Sequence, residues 1–193
     1  MKIILTTVLS IFLLIIISCN SDNEIILDDS QVASELVGTW NLVGYEAIEV
    51  GNLIYDNDIT IPYKYTGTGE DYNYKMEITT QPMRITTLGT VLVNTEEIRG
   101  EGDSAFVFEN SYTIISDANF QGGWHTGEWR LENGKIITSF DENPEEEEAF
   151  EFETEISELS DNRLILKVNL PQDGLTGEHK NITGYSKLIY IRI

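Results

Sequence analysis

From Thr39 onward the chain is written in short runs of β-branched and aromatic residues, alternating with polar ones and broken by turn residues. That pattern predicts strands at Thr39–Ile48, Leu53–Tyr55 with Ile59–Tyr65, Tyr72–Thr80, Met83–Val93 and Ala105–Ile115. It continues with Trp124–Leu131, Lys135–Phe140, Ala149–Leu159, Arg163–Leu170 and Ile182–Arg192. No helix-length stretch of this region has a period near ~3.6, and neither an internal repeat nor a second domain is visible.

Two hairpins can be registered by counting. Asn133-Gly134 is a type I′ turn signal that pairs Glu132 with Lys135, Leu131 with Ile136, Trp129 with Thr138 and Gly127 with Phe140. Trp129, Leu131, Ile136, Thr138 and Phe140 then share one face, and Glu128, Arg130, Ile137 and Ser139 take the other. A loop Ser160-Asp161-Asn162, with Asn162 at positive φ, sets Ile156 opposite Leu166 and Phe152 opposite Leu170. Tyr74, Met76 and Ile78 alternate well, as do Phe106, Phe108, Tyr112 and Ile114. Met83–Val93 changes phase at Leu88-Gly89, which predicts a bulge or two shorter strands. The architecture this predicts is all-β, an antiparallel up-and-down barrel of about 8–10 strands, closed by pairing Ile182–Ile193 with Thr39–Ile48; a two-sheet β-sandwich is the alternative.

The first residues read differently. Lys2 precedes an apolar run, Ile3 to Ile17, shorter than the about 20 residues a membrane span needs. Its end, Ile15-Ile16-Ile17-Ser18-Cys19, resembles a lipobox, which implies cleavage before Cys19 and acylation of that residue. Residues 20–29 form a polar, acidic tether, and Asp29 or Ser30 can cap a helical turn carrying Val32, Ala33 and Leu36. The organisation expected is a signal peptide over 1–18, lipidated cysteine, tether and turn over 19–35, and one domain over 36–193. Acidic residues just after the cysteine resemble a surface-export signal of some Gram-negative lipoproteins. Together these resemblances imply anchoring to the bacterial outer membrane through the acyl chains, reaching its outer face.

Gly38-Thr39-Trp40, at the start of the first strand and just past the helical turn, resembles the opening signature of lipocalin-like barrels. The resemblance implies that Trp40 plugs the closed end of the barrel, that Gly38 lets the chain turn into the strand, and that Arg192 stacks on the indole. The family's second and third motifs are not recognisable. The resemblance also implies an interior able to hold a small apolar ligand, with Tyr74, Met76, Ile78, Phe106, Phe108, Tyr112, Trp129, Phe150 and Phe152 as inward candidates; the same side chains would otherwise simply fill the core.

Charge narrows the classes. Twelve Lys and Arg stand against 33 Asp and Glu, a net charge of −21, with no basic stripe to neutralise phosphates, so nucleic acid is excluded as a partner. The single cysteine permits no intrachain disulfide. His125 and His179 sit beside glycines in turn-like settings and read as surface residues rather than general bases. Gly102-Asp103-Ser104 is not at a strand-to-helix turn and has no evident partner for a hydrolase role, while Asp103-Ser104-Ala105 resembles an O-glycan acceptor. Glu145 to Glu148, with Asp141 and Glu142, lack the spacing of a calcium loop. The sequence therefore predicts no metal, no cofactor and no catalysis. It leaves a small-molecule barrel first and a surface module that binds glycan or protein through loops second, with Tyr63, Tyr65 and Trp124 as exposed loop aromatics.

Overall fold

A computed structural model describes residues 29–55, 59–117, 125–140, 150–169 and 179–193. Cys19, the tether up to Asp28, Trp124 and the acidic run 141–148 lie outside these residues. Helix α1 (Asp29–Leu36) leads into β1 (Gly38–Tyr55), β2 (Ile59–Thr80), β3 (Met83–Arg99), β4 (Phe106–Ser116), β5 (Gly127–Glu132), β6 (Lys135–Phe140), β7 (Phe150–Leu159), β8 (Arg163–Asn169) and β9 (His179–Arg192). Among the described residues no helix is long and apolar enough to cross a membrane.

The first strands are longer than the pattern predicted. Thr39–Ile48 and Leu53–Tyr55 belong to one strand of 18 residues, and Ile59–Tyr65 and Tyr72–Thr80 to one of 22. The glycines and acidic residues between those runs stay in the sheet because β2 is hydrogen-bonded on both edges, to β1 and to β3. A register shift between Glu70 and Asn73 absorbs the break in alternation. That shift is the bulge expected near Leu88, placed instead on the facing strand. β3 keeps its phase throughout: Ile85, Thr87, Val91 and Val93 face inward and Leu88 is simply exposed. At the inward position between them, Gly89 has φ +117, and a Cβ there would lie 1.8 Å from the Asn73 carbonyl oxygen.

All strands form one sheet in the order β2-β1-β9-β8-β7-β6-β5-β3-β4, and a β2–β3 pairing closes it. The barrel is thus an antiparallel ring of eight strands with β4 outside the ring, paired among the described residues only with β3. A two-sheet sandwich is excluded by that closure. The up-and-down order is interrupted once. β3 meets β5 only at Arg84 and Ile85, and from Gly89 to Arg99 it pairs with β4. The wall forks there, so one end of the barrel is flared.

The first counted hairpin has the predicted register from Glu132–Lys135 through Trp129–Thr138, with Asn133 at φ 52 and Gly134 at φ 73. Ile137, on its outer face, is nevertheless buried. Arg130 on β5, the cross-strand partner of that isoleucine, reaches across β6 to Glu151 on β7, with hydrogen bonds of 2.7 and 3.1 Å. In the second hairpin Ile156 does face Leu166, but Glu158 and Leu159 slip by one residue onto Ile165 and Leu164. That bulge, rather than a left-handed Asn162, reconciles the loop with the register.

Candidate functional site

At the closed end α1 is tied to the first and last strands. Trp40 is fully buried and its Nε1 donates to the Leu36 carbonyl at 2.9 Å. The Arg192 guanidinium lies 4.3 Å from the Trp40 ring centre and donates to the carbonyls of Val37, at 2.8 Å, and Glu35. These bonds satisfy the carbonyls that a helix leaves open at its C-terminus, and they place a cation at the negative end of its dipole. Gly38 has φ +141, and a Cβ there would meet Arg192 Nη1 at 3.0 Å, so only glycine leaves room for the stacked guanidinium. Trp40 and Leu36, both fully buried, fill this end among the described residues.

Above it the barrel is filled. Tyr74, Met76, Ile78 and Trp129, candidates for a ligand cavity, are packed into one cluster with Trp40, Ile136, Leu164, Leu166, Leu188 and Tyr190. Trp129 Nε1 donates to the Thr79 carbonyl at 2.8 Å, so its polar edge is committed to the wall. Phe152 is half-buried; the side chain of Phe150 is outside the described part. Phe106, Phe108 and Tyr112 are corrected: they are 67%, 50% and 42% exposed and belong to β4, the strand left out of the ring.

Their placement is informative all the same. β4 pairs Tyr112 with Val93 and Ile114 with Val91, two fully buried residues, so its even-numbered side chains face the same side as the barrel interior. The inner surface therefore continues past the fork as an open wall. Besides the three exposed rings it carries Tyr45, Tyr63, Tyr65 and Tyr72, and Arg99 lies 5.3 Å from the Phe108 ring centre while paired with Glu97. Tyr63, expected exposed, is buried and its hydroxyl donates to Glu49 at 3.4 Å. Burial first, then the charges of Glu49 and Glu97, pushes its phenol pKa up. Burial and a hydrogen bond to Tyr112 do the same for Tyr65. The wall is an array of phenols and phenyls that also carries the Arg99–Glu97 ion pair and the Glu49 carboxylate, suited to a flat or apolar molecule that also accepts hydrogen bonds.

Beneath it, at the fork, lies a polar group the sequence did not reveal. The Thr87 hydroxyl is 2.7 Å from that of Ser116 and 2.6 Å from that of Thr126, and Ser116 also donates to the Thr87 carbonyl at 3.0 Å. These bonds close the gap where β3 changes partner. His125 follows the undescribed residues 118–124. It was read as a surface residue, yet it is 4% exposed, at φ +62, with Nδ1 3.0 Å from the Thr154 hydroxyl and its ring 5.6 Å from Phe152. Burial lowers its pKa to about 4, so the imidazole is neutral at pH 7. Among the described residues its Nε2 and the buried Tyr190 hydroxyl have no hydrogen-bond partner. Such an imidazole can act as a base or as an anchor for a polar group brought inside. The expected phase change in Met83–Val93 hid the inward position of Thr87, and the burial of His125 depends on residues distant in sequence. Gly102–Ser104 is an exposed 3₁₀ turn, and among the described residues no group of three or more His, Cys, Asp or Glu could hold a metal ion.

No protein-family model matches the chain. A D-alanine--D-alanine ligase of Sulfurovum sp. (strain NBC37-1) is 27% identical over 124 residues, covering 59% of this chain and 34% of the ligase. The chain thus spans about a third of that relative's length. The solved S-type phycobiliprotein lyase CPES of Guillardia theta is similar at 10% identity and a TM-score of 0.26, covering 90% of this chain and 98% of the lyase. One expectation is corrected by the first of these names. The sequence predicted no catalysis, whereas the similar curated protein is an enzyme, a ligase.

Proposed function

We propose that the protein is a lipid-anchored barrel that binds a small apolar or aromatic molecule at its flared end. The observation that carries this reading is the inner-side placement of Phe106, Phe108 and Tyr112, which are left exposed because β4 stands outside the ring. Exposed apolar side chains on an aromatic-rich wall are what a bound molecule would cover. The closed end, with Trp40 and Arg192, would be the structural base. The neutral His125 below the wall would face whatever polar group enters.

Binding is tested with the neutral fluorophore N-phenyl-1-naphthylamine, alongside native mass spectrometry of the protein purified from membranes. Fluorescence should rise on mixing with the wild type and fall several-fold in a Phe106→Ser/Phe108→Ser variant that melts normally. Equal fluorescence in both, with no retained molecule, overturns the reading. The anchor is proposed to be Cys19, acylated after removal of residues 1–18, with the domain over 36–193 carried on the outer membrane and reaching its outer face. The Ile17-Ser18-Cys19 pattern and the acidic tether support this. A Cys19→Ser variant should leave the membrane fraction, and protease added to intact cells should degrade the wild type. Complete protection removes the surface placement, and unchanged fractionation removes the anchor.

A further inference from the structure

The outer side of β2, β3 and β4 carries a second feature, separate from the barrel interior. Register sets Thr66, Glu96 and Glu109 side by side on one rung, and Thr68, Asn94 and Ser111 on the next. All six lie on the side opposite that of the buried Val91 and Val93. They line a hollow of about 510 Å³, and every side chain lining it is polar. Strands lie about 4.8 Å apart and alternate residues about 6.7 Å apart along a strand, so the six groups form a regular grid of hydrogen-bonding atoms.

The chemistry of the grid is specific. Glu96 and Glu109 are direct cross-strand partners, an arrangement of like charges that destabilises a sheet. Among the described residues neither has an ion-pair partner; the ion pairs there are made by Glu97, Glu132, Glu151, Glu153, Glu158 and Glu46. Ionised carboxylates only accept hydrogen bonds. Ser111 Oγ donates to Asn94 Oδ1 at 2.7 Å, which leaves the Asn94 amide nitrogen free to donate into the hollow. A ligand suited to this surface carries several groups that both donate and accept, spaced a few ångströms apart, and no negative charge.

We propose that this hollow is a saccharide site, taking a neutral or amino-sugar unit whose hydroxyls donate to Glu96 and Glu109 and accept from Asn94 and the threonines. The grid offers no aromatic platform for stacking, so binding to one sugar unit is weak, with a Kd on the order of 1 mM. An anionic sugar is excluded by the two carboxylates.

The test is saturation-transfer NMR on the purified full-length protein with glucose, galactose, mannose, glucosamine, N-acetylglucosamine and glucuronate. At least one neutral or amino sugar should bind saturably, and glucuronate should not. Asn94→Leu and Glu109→Gln should each weaken binding about tenfold or more. Glu109→Gln should melt no lower than the wild type, because it removes a repulsion, so lost binding there cannot be blamed on lost folding. The Phe106→Ser/Phe108→Ser variant should bind sugar normally, which keeps this site distinct from the flared end. The proposal is overturned if none of the sugars binds, if both grid variants bind like the wild type, or if glucuronate binds best. It is also overturned if calcium alone occupies the hollow, seen as a rise in melting temperature that Glu109→Gln abolishes while no sugar binds.

Discussion

Removing the Arg192 side chain is the sharpest probe of the closed end. In Arg192→Ala two charged hydrogen bonds, to the carbonyls of Glu35 and Val37, disappear together with the contact over Trp40. Bonds of that type contribute about 1.5–3 kcal/mol each and a cation–π contact about 0.5–2 kcal/mol. Their sum overstates the effect, because the guanidinium is only partly buried and water can reach the vacated carbonyls. A loss of about 2–4 kcal/mol is expected, or roughly 5–15 °C in melting temperature for a domain of this size. Arg192→Lys keeps the charge but not the planar fork and should recover less than half of it. Gly38→Ala should cost about 1–3 kcal/mol on its own, from its φ of +141 and the 3.0 Å approach to Arg192 Nη1. Combined with Arg192→Ala it should cost less, since the clash has gone and only the backbone strain remains. Urea unfolding followed by far-ultraviolet circular dichroism measures all four variants without relying on Trp40 as the reporter. The reasoning is refuted if Arg192→Ala loses less than about 0.5 kcal/mol, the range of an ordinary surface change, or if the two substitutions add without coupling.

Two further outcomes are expected. Burial holds His125 at a pKa of about 4 against 6.5 in the unfolded chain, so between those values the unfolded chain takes up a proton the folded one refuses. The stability contributed by the neutral ring is complete above pH 6.5 and falls by roughly 3 kcal/mol as the pH drops to about 4. A His125→Gln variant should lack that component when unfolding is compared with the wild type across the interval, and parallel pH profiles would refute it. Gly89→Ala should cost more than about 3 kcal/mol, because its Cβ would lie 1.8 Å from a backbone oxygen that cannot swing aside, and wild-type melting would show that the strand fork does not need glycine.

How far the fold was legible varies along the chain for physical reasons. The hairpin at Asn133-Gly134 was readable to the residue because a two-residue turn fixes register locally and alternation fixes the face. The hairpin at Ser160–Asn162 was readable across the sheet but not at its loop, where a bulge and a left-handed asparagine satisfy the same count. Phe106, Phe108 and Tyr112 were assigned to the correct side of their strand and still misplaced. Alternation gives a side chain's face but not whether another wall stands opposite. The burial of His125 was not legible, because nothing near it in sequence signals that Thr154 and Phe152 meet it from another strand.

By itself, then, the sequence determined the all-β character, the alternation of most strands, and closure of the last strand on the first, since each follows from local propensity and period. It also contained Gly38, Trp40 and Arg192 at the positions where the closed end needs them. Only the tertiary structure decided which strand stays outside the ring, which buried hydroxyls seal the resulting fork, and where aromatic rings remain uncovered. Those outcomes depend on the competition of β4 and β5 for the edge of β3, a contest between segments distant along the chain. Packing and hydrogen bonding settle it where no local pattern can.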